Sequence, residues 1–360
     1  MNTQNNNYRI QYMINKALLQ KLKARSEMFY IQMNVTNHCS DNCWHCYLRG
    51  NHNLPYEVGV EEFIEILKQA KIWAESHSKR LIVDLIGGDP LLKPDIDMLL
   101  TYLSKENINY GIKGNPYLLA KNIERLVELQ CRRYQMSLDG LETTHDAIRS
   151  PGSFQATLEA INLLYVHQMP VTIKYTMSEK NSTDLWELLY MLYEKNIHIS
   201  NFLVARYHDK NGQGFHVSKQ YYEETFERIK AFYDMQIQNH DVRIQIALKE
   251  HLWIPYLSGK QYLFKDFYDL LEKNPYLSSC SMISSNATVV TPEGYFDVCP
   301  KISGFCKTKD MKEYMERKQI FVNEIKRGAC VGCEWRTVCL GCPAFYTRGS
   351  IQRDCDCFFC

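Results

Sequence analysis

Residues 28–46 read Met-Phe-Tyr-Ile-Gln-Met-Asn-Val-Thr-Asn-His-Cys-Ser-Asp-Asn-Cys-Trp-His-Cys. An apolar, β-rich run, Met28–Val35, delivers the chain into a loop that carries Cys39, Cys43 and Cys46, spaced x3 then x2. Iron–sulfur cubanes are normally held by four cysteine thiolates, so a set of three leaves one iron with a position where a small molecule can coordinate. The competing reading is zinc, which wants a fourth strong ligand, and His38 or His45 would have to supply it. His45 lies between the cysteines and is poorly placed to turn toward the same metal. The stretch therefore predicts a strand that ends in an open cluster site.

Working outward, apolar β-rich runs alternate with amphipathic helical ones from Met28 to Ala205, the pattern of repeated βα units around a parallel sheet. The predicted strands are Met28–Val35, Leu81–Ile86, Ile108–Ile112, Arg133–Leu138, Val171–Thr176 and His198–Ala205. Between them, Val60, Phe63, Leu67, Ala70 and Ala74 mark one helical face, and Thr157, Ala160, Ile161 and Leu164 another. Right-handed crossovers would curl six such strands into a partial (β/α)6 TIM-like barrel of the α/β class. In such folds the loops leaving the C-terminal ends of strands build the site. The cysteine triad is on the first of these loops, Gly87-Gly88-Asp89-Pro90 follows the second strand, and Ser137-Leu138-Asp139-Gly140 closes the fourth. Cys131 sits among apolar neighbours and reads as core.

The polar stretch from Tyr207 to Gly214 ends the repeat. Helices over Lys219–Gln238 and Gln261–Glu272, with a strand-like run Val242–Leu248 between them, read as a bridge. Of the 14 cysteines, ten lie between Cys280 and Cys360. The expected organisation is an N-terminal extension (1–27), the barrel (28–210), a bridging region (211–275) and a small cysteine-rich domain (276–360).

Composition bounds the partners. Forty-two basic against 41 acidic side chains give a net charge near zero, which argues against a nucleic-acid partner that would need a basic surface. The opening Met-Asn-Thr-Gln-Asn-Asn-Asn is polar, and no membrane-length apolar run follows. The expectation is a cytoplasmic protein with no membrane partner, in a compartment where cysteine clusters hold metals rather than disulfides.

Cys39-x3-Cys43-x2-Cys46 on the first loop of a βα repeat resembles the cluster motif of radical S-adenosylmethionine enzymes. That resemblance implies a 4Fe–4S cluster on three cysteines, with the amino and carboxylate groups of S-adenosylmethionine chelated at the open iron. His45 stands where the family usually has an aromatic side chain near the adenine. Gly87-Gly88-Asp89-Pro90 resembles the family's Gly-Gly-Glu-Pro, whose backbone meets the methionyl amino group; glycines let the chain approach closely where a Cβ would hinder it. Ser137 and Asp139 resemble the residues that hold the cofactor's ribose and carboxylate. Arg206 offers a planar fork for the methionine carboxylate, with a surface arginine as the alternative. His145, Asp146 and Arg149 resemble the stretch after the family's fourth strand, and their plain reading is a solvated helix start.

The tail runs Cys280-x13-Gly294-x4-Cys299, then Cys330-x2-Cys333-x5-Cys339-x2-Cys342, then Cys355, Cys357 and Cys360. Structural zinc is one reading of such spacings. The order resembles the SPASM extension, an auxiliary-cluster domain of many radical S-adenosylmethionine enzymes that modify peptides, except for one spacer, x2 where the extension has x3. The resemblance implies two auxiliary 4Fe–4S clusters. Cys280, Cys299 and Cys342 would hold the first, with Cys306 as fourth ligand or the position left open. Cys330, Cys333, Cys339 and Cys357 would hold the second, with Cys355 and Cys360 competing for the last place.

Auxiliary clusters suit a reaction that releases an electron after hydrogen abstraction. The implied activity is oxidative modification of a ribosomally made peptide or small protein, by thioether or carbon–carbon crosslinking or by epimerisation, with a flavodoxin or ferredoxin as electron donor. Formylglycine formation, as in sulfatase maturation, is the alternative. Those enzymes carry an aspartate just after the cysteine of the Gly-x4-Cys block, where this chain has Pro300, with Asp297 displaced. A non-catalytic iron–sulfur or zinc protein would explain the tail but not the open triad.

Overall fold

The structure, a computed structural model, describes residues 26–46, 56–207, 218–249, 252, 253, 256, 280, 282, 286–302, 304–333, 339, 341–343 and 357. The expected helix Gln261–Glu272 and the cysteines Cys355 and Cys360 lie outside the described residues.

In chain order the elements are β1 (Met28–Thr36), α1 (Val60–Ser76), β2 (Arg80–Gly87), α2 (Ile96–Lys105), β3 (Asn109–Lys113), α3 (Leu119–Glu128), β4 (Tyr134–Ser137), α4 (Glu142–Ile148) and α5 (Ser153–Val166). There follow β5 (Val171–Met177), α6 (Leu185–Glu194), β6 (Asn201–Arg206), α7 (Lys219–Gln238), β7 (Ile246–Leu248), β8 (Asn286–Val290), β9 (Phe296–Asp297) and α8 (Met311–Gly328). The strands form one sheet in the order β7-β6-β5-β4-β3-β2-β1-β8-β9. Every pairing is parallel except β8 with β9. Parallel neighbours need a crossover, and the helices between β1 and β7 supply them.

The six expected strands are present, but the sheet does not stop at six. Part of the run read as a bridge, Ile246–Leu248, pairs with β6 in register Phe202 to Ile246. At the other edge β8, from the cysteine-rich end of the chain, pairs with β1 in register Tyr30 to Ala287. The described part of the tail thus extends the barrel sheet.

Side-chain alternation divides the sheet into two faces. On β1, Phe29, Ile31, Met33 and Val35 are fully buried beneath the helices, and the Phe29 ring lies 4.7 Å from Trp73 of α1. Helix α1 presents the predicted stripe of Val60, Phe63, Leu67, Ala70 and Ala74, all buried, together with Ile66. Burying Phe63 or Leu67 in this way is worth about 2–3 kcal/mol each. Thr157, Ala160, Ile161 and Leu164 of α5 and the thiol of Cys131 are buried as expected.

The opposite face is polar and concave. Lys249, just beyond β7, lies within electrostatic reach of Lys113 on β3 and Asp84 on β2. In a flat sheet those strands would stand about 19 and 24 Å from β7. Such contact across the sheet requires curvature, which is the partial barrel. Among the described residues no helix is long and apolar enough to cross a membrane.

Candidate active site

Loops from the C-terminal ends of successive strands meet around the cysteines. After β2 the chain runs directly beneath the loop that follows β1: Gly88 N donates to Thr36 O at 2.9 Å and Asp89 N to His38 O at 2.8 Å. A Cβ on Gly88 would stand 2.1 Å from His38 O and 2.8 Å from the Cys39 Cβ. At Gly87, with φ +155°, a Cβ would stand 2.1 Å from Thr36 O. The two glycines are therefore demanded by the cysteine loop's own backbone, a closer neighbour than any ligand.

Asp89 is fully buried. Its Oδ1 accepts from Leu91 N at 3.1 Å, opening the short 3-10 turn Pro90–Leu92. Its Oδ2 has no hydrogen-bond partner among the described residues, and burial raises the carboxyl pKa to about 6.

The thiols themselves collect donors. Asn115, from the loop after β3, donates through Nδ2 to Cys39 Sγ at 3.2 Å and to Ser40 Oγ at 3.1 Å. Asp41 N also donates to Cys39 Sγ, at 3.4 Å, and Arg149 Nη1 reaches Cys43 Sγ at 3.5 Å. Burial pushes the Cys39 thiol up and the Cys43 thiol to about 12, despite the guanidinium beside the latter. A coordinated iron would reverse this, because a metal-bound thiol is deprotonated outright.

Behind the triad lies Asp139, fully buried at the end of β4. Its Oδ2 receives Arg149 Nε at 2.8 Å and Nη2 at 2.7 Å, and its Oδ1 receives Thr176 N at 2.7 Å. Burial alone would raise its pKa, but Arg149 and the neighbouring donors outweigh this and hold the carboxyl below its usual range. Asn181, also fully buried, donates Nδ2 to Asp139 O and to Thr176 O, both at 2.9 Å. Its Oδ1 accepts from Ser178 N at 2.9 Å. His145 Nδ1 accepts from Asp139 N at 2.9 Å.

The His145–Arg149 stretch is thus no solvated helix start: His145 is fully buried and Arg149 bridges Asp139 to Cys43. Asp146 alone keeps a local part, accepting from Phe154 N at 2.8 Å at the start of α5. Arg206, the last residue of β6, is buried rather than on the surface. Ser137 ends β4 on the concave side, half-buried.

His45 Nε2 stands 3.5 Å from Asp139 Oδ2, and burial lowers its pKa to about 3, so the imidazole is neutral. Trp44 and Tyr207 pack beside it with ring centroids 5.1 Å apart, and Lys180 Nζ lies 4.2 Å from the Trp44 ring.

Asn115, Asp41, Asn181 and Tyr207 were not singled out by sequence. Gly114-Asn115-Pro116 is a turn signal directly after the third strand, so reading every strand's exit loop would have found Asn115. The others carry no pattern of their own.

Toward the tail, Cys280 and Cys299 pack against one small apolar group, Met282, Ala287 and Val289, which also touches Tyr30 of β1. Cys306 is fully buried. The buried ammonium of Lys318 feels both Cys280 and Cys306, and the Tyr314 hydroxyl feels Cys306 and Cys299. Lys301 N donates to Cys299 Sγ at 3.5 Å and Gly341 N to Cys339 Sγ at 3.4 Å. With Asp41 to Cys39, three predicted ligands receive an N–H from two residues on, a bond that favours thiolate over thiol. Cys131 does the opposite and donates its S–H to Arg133 O at 3.5 Å, as a core thiol would.

Cys330 and Cys333 flank a turn closed by Cys333 N on Cys330 O at 3.1 Å, while Cys46, Cys342 and Cys357 are half-buried. Asp297 accepts from Val298 N at 2.8 Å, Gly304 N at 2.6 Å and Cys306 N at 3.3 Å, so its carboxylate organises the Cys299–Cys306 loop. Among the described residues no three His, Cys, Asp or Glu side chains gather around one point closely enough to hold a single metal ion. A cavity of about 550 Å³ lined by Pro170, Val171, Leu192 and Ile244 opens at the other end of the strands, and no thiol lines it.

Residues 33–192 match the family model described as Radical SAM superfamily. The chain is similar to the AdoMet-dependent heme synthase of Methanosarcina barkeri (strain Fusaro / DSM 804), at 27% identity over 337 residues, 87% of this chain and 90% of that protein. Among solved structures it resembles Streptococcus suis SuiB bound to S-adenosylmethionine, with a TM-score of 0.68 at 17% identity over 95% of this chain and 81% of that one. SuiB has also been solved bound to precursor peptide SuiA. AdoMet-bound anSMEcpe gives a TM-score of 0.69 at 15% identity over 91% of this chain and 93% of that one, and it too has been solved with a bound peptide. At these identities the structural likeness speaks for the fold, a partial TIM-type barrel.

Proposed function

Since residues 33–192 match the Radical SAM superfamily model, we propose that this chain holds a 4Fe–4S cluster on Cys39, Cys43 and Cys46, binds S-adenosylmethionine at the open iron, and oxidises a peptide. The observation that carries this reading is the set of donors aimed at the triad: Asn115 Nδ2, Asp41 N and Arg149 Nη1 all reach its sulfurs. Such donors stabilise thiolates and tune a cluster they surround. When bound, the cluster and S-adenosylmethionine supply a 5′-deoxyadenosyl radical, the species that takes hydrogen from an unactivated carbon.

The chain's own share is to hold, orient and exclude water. Asp89 Oδ2, buried and unpaired among the described residues, is an acceptor fitted to the methionyl amino group, with Gly87, Gly88 and Pro90 shaping the turn around it. Arg149 offsets negative charge at Cys43 while locking Asp139. Asp139 in turn fixes the rim where Ser137 would meet the ribose and Arg206 the methionine carboxylate. His45, neutral and beside Trp44, offers a flat ring for the adenine.

In the tail, Cys280, Cys299 and Cys342 with Cys306 as fourth ligand would hold one auxiliary 4Fe–4S cluster. Support comes from Lys318 and Tyr314, which feel Cys280, Cys299 and Cys306 together. Cys330, Cys333, Cys339 and Cys357 would hold the second. A flavodoxin or ferredoxin would deliver the electron, and thioether or carbon–carbon crosslinking is the modification we favour, with the auxiliary clusters accepting the electron released after hydrogen abstraction.

Formylglycine formation is disfavoured by Pro300, which stands where those enzymes carry their aspartate, and by the displaced Asp297, whose carboxylate is held in the Cys299–Cys306 loop by three backbone N–H groups. The heme synthase relative favours a second reading, a heme-precursor substrate. Co-expression with short peptides encoded beside the gene separates the two. A peptide lighter by a pair of hydrogens supports the first; unchanged peptides together with conversion of a tetrapyrrole would replace it.

A further inference from the structure

The concave face of the sheet carries a row of charge that continues inward from the site described above. Its inward positions include Tyr30, Asp84, Lys113 and Lys174, and Lys249 continues the series beyond β7, its N–H bonded to Val204 O at 2.8 Å. Asp84 is the only carboxylate among the inward-facing described residues of β1 to β7, and it is fully engaged. Lys113 Nζ lies 2.9 Å from its Oδ2, while Tyr30 and Arg133 bond it as well. Lys174, Lys249 and Lys301 have no carboxylate within ion-pair distance among the described residues; at longer range Lys174 feels Asp139 and Lys249 feels Asp84, and both lysines feel Lys113 and Lys301.

We propose that this wall is a carboxylate-binding site: Lys174 and Lys249, backed by Lys301, receive an acidic side chain or terminal carboxylate of the substrate. The inference rests on the peptide-oxidising reading and names the chemistry of its substrate.

Lys174 borders the cofactor site, within electrostatic reach of Asp139, Arg149 and His45, and Lys301 carries the series toward the tail. Cys280 and Cys299 border the same concave side through Ala287 and Val289, and Lys301 follows Cys299 by two residues. The lysines therefore line the space between the triad and the tail cysteines, where a substrate touching both must lie. Converging cations whose nearest carboxylates, Asp84 and Asp139, are already bonded to other groups raise the local concentration of anions and orient them. Burial and the other lysines lower Lys174 to about 8, while Lys249 is exposed. An entering carboxylate relieves that repulsion.

The test uses the full chain with its clusters reconstituted anaerobically, and calorimetric titration at pH 7. The probes are acetyl-Ala-Glu-Glu-Ala-amide, its Gln-Gln counterpart, propane-1,2,3-tricarboxylate and S-adenosylmethionine. At least one acidic probe is expected to bind about ten-fold more tightly than the neutral peptide. Combining Lys174→Met with Lys249→Met should erase that preference, Lys174→Arg should keep it, and S-adenosylmethionine affinity should stay within about two-fold in every variant. Equal binding of acidic and neutral probes, or a preference that survives the double substitution, overturns the proposal. A fall in S-adenosylmethionine affinity in parallel with the lost preference also overturns it, since the lysines would then serve the cofactor. Tight binding of the tricarboxylate with both peptides weak and equal keeps the lysine wall and removes the peptide reading instead.

Discussion

At the residue scale the centre of the account is His145, whose ring accepts a hydrogen bond from Asp139 N and is fully buried. An acceptor at Nδ1 puts the ring proton on Nε2, and a second proton would have to displace the Asp139 N–H. Burial accordingly lowers the His145 pKa from 6.5 to about 4. The unfolded chain then takes up the proton before the folded one as pH falls. The stabilising contribution is complete above pH 6.5 and is lost progressively toward pH 4, up to roughly 3 kcal/mol. His145→Asn keeps an acceptor for Asp139 N but cannot be protonated, so the fall in urea midpoint between pH 6.5 and 4 should flatten. An unchanged slope would mean that His145 does not carry the linkage.

The cysteines were legible at this scale because spacing alone states which thiols share a loop. Asn115, and the partner of Arg149, were not, since a donor's partner 76 or 106 residues away leaves no trace in local pattern.

At the scale of elements, the alternation of apolar runs and helical stripes gave the six βα strands and the buried faces of α1 and α5. What it could not give was pairing. The run Val242–Leu248 read as strand-like, but nothing local says that Ile246–Leu248 adds to β6; and Asn286–Val290, between cysteines, read as metal-binding tail although it pairs with β1. Parallel pairing is decided by distant segments.

The packing of the turn after β2 against the cysteine loop makes a prediction at this scale. Gly88→Ala would press a methyl against His38 O and Cys39 Cβ, atoms that cannot rotate away. A loss of about 2–3 kcal/mol in unfolding free energy is expected, with less iron retained per chain after reconstitution. Wild-type midpoint and iron content together would show that the two loops do not pack in this way.

For the whole molecule, one curved sheet does two jobs. Its rim gathers the loops from β1, β2, β3 and β4 around the triad, and its concave face, bounded by β8 and the tail cysteines, forms a polar hollow beneath. The rim was foreseeable from the rule that exit loops of parallel strands build sites. The hollow's charge was not, because inward lysines on separate strands are recognisable as neighbours only once the sheet has curled.

The central claim, that the triad cysteines hold a cluster which cleaves S-adenosylmethionine, is tested most directly by chromatography of the reconstituted, anaerobically reduced protein after incubation with S-adenosylmethionine. The account predicts 5′-deoxyadenosine from the native chain and none from the variant with Cys39, Cys43 and Cys46 replaced by alanine. Absence of 5′-deoxyadenosine from a native chain with its full iron complement would contradict it.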